Sequence, residues 1–313
     1  MSDSRRVVVL GGGVAGDVAA LRATQLGAEA ILIERAELGG TCLNWGCIPT
    51  KALLASADLL RKLRRADEYG LIAKDVGFDF PRMMERKEEI VVQLRNGVEN
   101  AAERKGVTVV RGQGVIEGDA VVVDGESYPF DVLVLAVGTE PSGLPGIDMD
   151  HPAVLTSNDI LRLESVPESM LIIGGGVIGC EFASLFAPLG TEITVVELLP
   201  KLLAGVDQRT TKQFQRLLED DGVNVHLGRT VEEIEQYNDD GIVARLDDGT
   251  TISAEKLLVS VGRAPQTEGV GITEAGVEVN ERGHSVVDEL PGSYTHLRAH
   301  ETYEGLADAV GGG

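Results

Sequence analysis

Cysteine, aromatic residues, positive charge and long apolar runs are all scarce in this 313-residue chain, and each shortage closes off a class of protein. Three cysteines are too few for a disulfide-stapled scaffold, so any disulfide here reads as catalytic rather than structural. No apolar run reaches bilayer-spanning length, and the N-terminal MSDSRR leads into a short strand-like run without a signal-peptide core, which reads as a cytoplasmic protein. The 28 basic residues stand against 50 acidic ones, and the resulting net charge of -22 argues against nucleic acid or an anionic membrane as partner. Only eight of those basic residues are lysine, a bias of salt-adapted or GC-rich sources, although an ordinary acidic enzyme accounts for it as well. What the chain does have is glycine, 39 residues of it, in a 43% hydrophobic composition that suits a globular α/β protein. Its length allows two domains, each with a core of its own.

The glycines mark a pattern that occurs twice. Residues 5–35, RRVVVLGGGVAGDVAALRATQLGAEAILIER, open with an apolar run of strand length, pass through Gly11, Gly13 and Gly16 at GxGxxG spacing, continue with helical periodicity and return to a second apolar run ending at Glu34. This predicts a βαβ unit of the Rossmann-like, dinucleotide-binding type, with the glycines at a tight turn, at the approach to a pyrophosphate and at a close helix packing. Free N–H groups at the helix start would face the phosphates, and Glu34 would accept from a ribose. One GxGxxG alone often serves packing only. The second copy, MLIIGGGVIGCEFASLFAPLGTEITVVE over residues 170–197, has Gly174, Gly176 and Gly179 and ends at Glu197, with every position offset by 163 residues from the first. The recurrence predicts two dinucleotide sites. At the second, a 2′-phosphate about 4 Å from the Glu197 carboxylate would meet repulsion of about 4 kcal/mol per charge pair. Lys201 is the one basic residue in the following LLPKLLAGVD, so NAD is expected over NADP.

After each unit comes an apolar run closed by a glycine-containing loop, FDVLVLAVGTEPSGLPG at 130–146 and KLLVSVGRAPQ at 256–266. These closures place the domain change near Ile147 to Val166 and the end of the second domain near Gly271.

Cys42 and Cys47 lie in GGTCLNWGCIPTK, directly after the first unit. Zinc needs three or four ligands, and no companion Cys or His pair exists outside a C-terminal stretch holding His296 and His300. Core packing is the usual fate of a single cysteine and the reading taken for Cys180, but it does not account for two in one glycine-flanked turn. IPTKALLASADLL predicts a helix with Pro49 in its first turn, which sets Cys47 at a helix start where the helix field favours thiolate. Redox chemistry is the favoured reading of the pair.

GGTCLNWGCIPTK, the two GxGxxG units in this order, and the AVGTEP and SVGRAP closures together resemble the class I pyridine nucleotide-disulfide oxidoreductases. Leu43, Asn44 and the run Ile48-Pro49-Thr50-Lys51 are most similar to the dihydrolipoamide dehydrogenase branch, and the resemblance covers roughly residues 5–288. It implies residues 1–147 as an FAD-binding domain with a redox disulfide, 148–272 as an NAD-binding domain, 273–290 as a return segment to the FAD domain, and a C-terminal interface domain that is absent. FAD would lie on Gly11, Gly13, Gly16, Glu34, Gly40, Thr41 and Gly114, and NAD on Gly174, Gly176, Gly179, Glu197 and Gly262. Cys47 would be the charge-transfer thiolate beside the flavin and Cys42 the interchange thiol, with electrons passing from dihydrolipoamide through the Cys42–Cys47 disulfide and FAD to NAD⁺. Lys51 and Glu181 would meet beside the flavin; taken singly, they read as a solvated helix residue and a first-turn acid.

The agreement stops near Asp288. Members of the family continue with a Gly-Asp strand and the interface domain, which builds the homodimer and carries an acid–base histidine; here DELPG is followed by SYTHLRAHETYEGLADAVGGG. Residues 291–313 read as a non-homologous tail, similar to translated adaptor sequence, with His296 and His300 in disorder rather than on a metal. The alternatives are another member of the family, of the glutathione or mercuric reductase kind, or a truncated, non-catalytic FAD/NAD-binding fragment.

Overall fold

A computed structural model describes residues 4–238 and 240–287, and the backbone of 298–299. The chain forms two compact α/β units, and both are discontinuous in sequence. The first holds Met1–Cys47, Val91–Glu140 and Arg263–Gly313; the second holds Ile48–Ile90 and Pro141–Gly262.

In the first unit, β1 (Arg6–Leu10) lies between β2 (Glu29–Glu34) and the strand Val132–Leu135, all parallel, with Val9 opposite Leu32 and Val134. Thr108–Arg111 extends the sheet beyond β2, and Arg298–Ala299 adds two residues beyond Val132–Leu135. The strands are nearly continuous Val, Ile and Leu because both faces are covered. Val8, Leu10, Ile31, Ile33, Leu133 and Leu135 pack one face together with Ile116, Val121 and Val123 of a three-stranded antiparallel meander. Val9 and Leu32 point the other way, onto Ala20 of helix α1 (Val14–Gln25) and Ala102. Alternate residues of one strand thus feed two cores.

The second unit repeats the plan. Ser169–Ile173 lies between Glu192–Glu197 and Lys256–Val259, parallel, and Asn224–Leu227 and Val154–Leu155 complete the sheet. A three-stranded antiparallel sheet, Val231–Asn238, Gly241–Leu246 and Thr251–Ala254, packs Ile242, Ala244 and Leu246 with Leu171, Val196 and Leu257.

The sequence reading placed residues 48–90 in the first domain and returned the chain to it at 273, whereas the contacts place 48–90 with the second unit and the return at Arg263. The reason is a core. Helix α3 (Cys47–Arg64) is amphipathic, and its Leu53, Ala57 and Leu60 join Phe80, Met170, Ile172, Phe182, Phe186 and Ile193 in one cluster. Burying such side chains contributes roughly 1.5–3 kcal/mol each. Lys87, itself buried, donates to the Leu161 carbonyl at 2.9 Å, and Arg61 donates to the Ser184 carbonyl at 3.0 Å. The tail expected over 291–313, with His296 and His300, lies outside the described residues apart from the strand at 298–299.

Candidate functional site: two nucleotide cradles and a dithiol segment

The first glycine-rich turn joins β1 to α1. Gly11 has φ +105°, and a Cβ there would lie 2.1 Å from the Ala136 carbonyl oxygen. A Cβ on Gly16 would lie 1.8 Å from the Gly11 carbonyl oxygen, so α1 can pass this close to the turn only over glycine. Gly13 caps α1 with no side-chain acceptor on its first N–H groups, the arrangement that takes an anion. Glu34, at the end of β2, receives the Gly12 N–H on Oε2 at 2.6 Å and the Ala36 N–H on Oε1 at 2.7 Å. Each carboxylate oxygen keeps acceptor capacity for a ribose hydroxyl.

The second turn reproduces this set. Gly174 has φ +105° and a would-be Cβ 2.4 Å from the Ser260 carbonyl oxygen; a Cβ on Gly179 would lie 2.0 Å from the Gly174 oxygen. Glu197 receives the Gly175 N–H at 2.6 Å and the Leu199 N–H at 2.8 Å. Gly176 caps the helix Val177–Phe186 without a side-chain acceptor and is exposed. Gly262, also exposed, has φ +140° and accepts from the Ser142 N–H at 3.1 Å. These shapes fit two dinucleotides: each has a glycine turn packed too closely for a Cβ, uncapped amides at a helix start, and a carboxylate with spare acceptors.

The dithiol segment leaves the first turn directly. Gly39 bridges to Gly13, and a Cβ on Gly40 would lie 2.7 Å from the Gly13 Cα, so the segment crosses the turn in contact with it. Helix α2 (Gly40–Trp45) then carries Thr41 and Cys42, Gly46 breaks it, and α3 begins at Cys47. Cys42 is half-buried and Cys47 exposed, both in the thiol form, so the expected bond between them is not formed in this structure. Asn44 holds the segment closed by donating to the Leu38 carbonyl at 2.9 Å and the Gly40 carbonyl at 3.0 Å, and Arg95 reaches its Oδ1 at 3.4 Å. Gly114 is buried where a Cβ would meet Leu10, Val121 and Ile33, a packing reason for glycine.

Lys51 and Glu181 are brought together, Nζ to Oε1 at 2.5 Å, with side chains 56% and 26% exposed. Cys180 beside it is buried, donates to the Gly175 carbonyl at 3.3 Å, and has its thiol pushed up to about 12 by burial and then by Glu197 and Glu181. Two residues of this region went unread in the sequence. Asp17, in the first turn of α1, is half-buried, and burial raises its carboxyl above the ordinary 3.8 despite a bond from the Val18 N–H. Arg263 stands in plain view in SVGRAP, but nothing in the sequence says that it packs on Thr139.

The profile of the family described as pyridine nucleotide-disulphide oxidoreductase matches residues 5–292. The chain is 36% identical over 313 residues to a dihydrolipoyl dehydrogenase of Bacillus subtilis, covering 98% of this chain and 67% of that protein. The chain belongs to the pyridine nucleotide-disulphide oxidoreductase family. A dihydrolipoyl dehydrogenase of Chlamydia muridarum is 39% identical over 289 residues, covering 90% of this chain and 62% of its own length. The HOCl-induced flavoprotein disulfide reductase RclA of Escherichia coli superposes with a TM-score of 0.83 at 29% identity, covering 98% of this chain and 66% of that one. The chain therefore spans about two thirds of the length of these relatives. Membership in the pyridine nucleotide-disulphide oxidoreductases implies flavin and pyridine-nucleotide cofactors, in keeping with the two cradles. Among the described residues no helix is long and apolar enough to cross a membrane, and no group of three or more His, Cys, Asp or Glu could hold a metal.

Proposed function

We propose that this chain carries the electron-transfer machinery of a dihydrolipoamide dehydrogenase, oxidising a dithiol of the dihydrolipoamide kind with FAD as resident cofactor and NAD⁺ as acceptor. The observation that carries the reading is a two-cysteine segment running directly from the first of two matched glycine-carboxylate cradles. FAD is assigned to Gly11, Gly13, Gly16, Glu34, Gly40, Thr41 and Gly114. NAD is assigned to Gly174, Gly176, Gly179, Glu197 and Gly262, with the Glu197 carboxylate disfavouring a 2′-phosphate.

Bound flavin and nicotinamide supply the two-electron and hydride chemistry. The protein's part is thiol exchange. One substrate thiolate attacks Cys42 Sγ of the Cys42–Cys47 disulfide and Cys47 leaves as thiolate; the second substrate thiolate attacks the substrate sulfur of the mixed disulfide. That closes the substrate's own disulfide and releases Cys42, which takes a proton. One electron pair has then entered the protein. Cys47 leaves the more readily because it opens α3, where the helix field favours the anion. Lys51, oriented by Glu181, supplies a positive charge to the flavin reaction. A homodimer of the family's full-length kind belongs to the same proposal.

Anaerobic titration of the FAD-loaded chain with NADH, NADPH and dihydrolipoamide, followed by flavin absorbance, tests the reading. NADH is expected to bleach the flavin and NADPH not, and dihydrolipoamide to raise a long-wavelength thiolate-to-flavin band that Cys47→Ser abolishes with FAD still bound. A chain that takes up no flavin, or a Cys47→Ser variant that keeps the band, overturns it.

A further inference from the structure

Helix α4 (Phe80–Arg104) lies in the first unit from Val91 onward. There Arg95, Val98, Glu99 and Ala102 follow the spacing of one helix face. Val98 and Ala102 pack in one cluster with the buried Leu38. Polar contacts flank this apolar one. Arg95 Nη1 stands 3.4 Å from Asn44 Oδ1 and 3.6 Å from Glu37 Oε1. Glu99 accepts from Arg111 Nη2 at 2.6 Å, and Arg111 Nη1 donates to the Ala36 carbonyl at 2.6 Å. Ala36, Glu37, Leu38 and Asn44 are thereby tied, directly or through Arg111, to one helix. The Asn44 amide is fully used: Nδ2 donates to the Leu38 carbonyl at 2.9 Å and the Gly40 carbonyl at 3.0 Å, and Oδ1 faces the arginine. Gly40 lies against Gly13 of the first turn, and Cys42 shares the short helix of Asn44. One side chain therefore joins the thiol-bearing helix to the stretch that covers the cradle. The Arg95 side chain is 23% exposed, so its charge is less screened than at an open surface.

We propose that Asn44 and Arg95 are positioning residues that latch the dithiol segment over the first cradle, so that flavin retention and the presentation of Cys42 depend on the same two side chains. The proposal rests on the assignment of FAD to that cradle and of thiol exchange to Cys42. A carboxamide suits the position because it brings two donors to two carbonyls and one acceptor to a guanidinium. An aspartate of the same shape would gain attraction to Arg95, yet it would set a carboxylate oxygen against the Leu38 and Gly40 carbonyls and leave both without their donor.

The test follows two rates in the FAD-loaded chain: flavin release on dilution, read by flavin fluorescence, and flavin reduction by dihydrolipoamide in a single anaerobic turnover. Asn44→Asp is expected to release flavin about tenfold faster and to be reduced about tenfold more slowly. Arg95→Met keeps the apolar stem and removes the charge; both rates are expected to move the same way by about threefold to fivefold, with Arg95→Lys recovering most of each. NADH affinity is expected to stay at the parent's value in all three. Rates in Asn44→Asp equal to the parent's, or a lowered melting temperature in Arg95→Met with both rates unmoved, overturn the latch. Should Asn44→Asp fail to fold, Arg95→Met and its lysine rescue decide alone. A parent that takes up no flavin, or holds it and is not reduced by dihydrolipoamide, counts instead against the FAD or dithiol assignment. In either case hydrogen exchange at the Gly39 amide, bonded to the Gly12 carbonyl at 2.7 Å, decides the latch: Arg95→Met must speed it and Arg95→Lys must not.

Discussion

At Gly12 and at Gly175 the same backbone bonds close the same turn: each glycine N–H is taken by the carboxylate ending the next strand, and that carboxylate takes a second N–H two residues past itself. What lies over the turn differs. The Gly39–Gly40 stretch crosses the first and leaves Gly13 half-buried, whereas Gly176 is exposed and a Cβ there would meet nothing within 4 Å. A covered cradle suits a group that stays through many turnovers, and an open one a nucleotide that comes and goes. On the proposed assignment one architecture would serve two residence times, and the cover over the first is the very segment that carries Cys42.

The sharpest way to break the comparison is at the turns themselves. Gly11→Ala and Gly174→Ala each force a side chain into φ +105° and against a carbonyl oxygen, and each is expected to lower stability by about 3 kcal/mol, strain and overpacking together. Thermal unfolding should show equal losses if the two turns are equivalent. Next come variants that should separate them. Gly40→Ala, whose Cβ would strike Gly13, is expected to weaken flavin retention about tenfold or more with NADH binding untouched, and the second turn has no counterpart to it. Gly176→Ala should weaken NADH binding and leave flavin in place, as read by equilibrium titration.

Glu197→Gln keeps an acceptor oxygen and removes the charge, and the NADPH-to-NADH preference is expected to rise about tenfold or more. A smaller effect is expected at residue 17, whose counterpart in the second copy is Cys180; burial disfavours the ionised form at both. Because the folded Asp17 carboxyl lies above 3.8, its contribution to stability is whole below that pH and is lost as pH rises through the raised value. Asp17→Asn should therefore raise the melting temperature at pH 7 and leave it unchanged near pH 3. Last, Lys51→Met should shift stability by about 1 kcal/mol or less, since the lysine end of its pair with Glu181 is exposed, so a large loss of turnover would report chemistry.

The duplication was legible because its parts are local: a strand, three glycines, a helix and an acid recur at a fixed spacing, and all of them lie within one short βαβ stretch. Its breakdown was not. Gly39 donates to the Gly12 carbonyl but Leu203, one residue out of step with the offset, donates to that of Gly175. The division of the chain was also hidden, because the periodicity of α3 announces an apolar face without naming Phe182 and Phe186 as its partners. For the same reason AVGTEP and SVGRAP were read as parallel closures of separate units, although their strands pair and Thr139 anchors Arg263.

The two-sided grip of Glu197 has a consequence for anyone redesigning the cofactor preference. Swapping it for a small or basic residue, the obvious route toward accepting a 2′-phosphate, would also strip the Gly175 and Leu199 amides of their acceptor and loosen the turn proposed to receive the pyrophosphate. On the proposed NAD assignment, selectivity and scaffold would share one side chain. A successful exchange must bring a replacement acceptor for both amides along with the new charge.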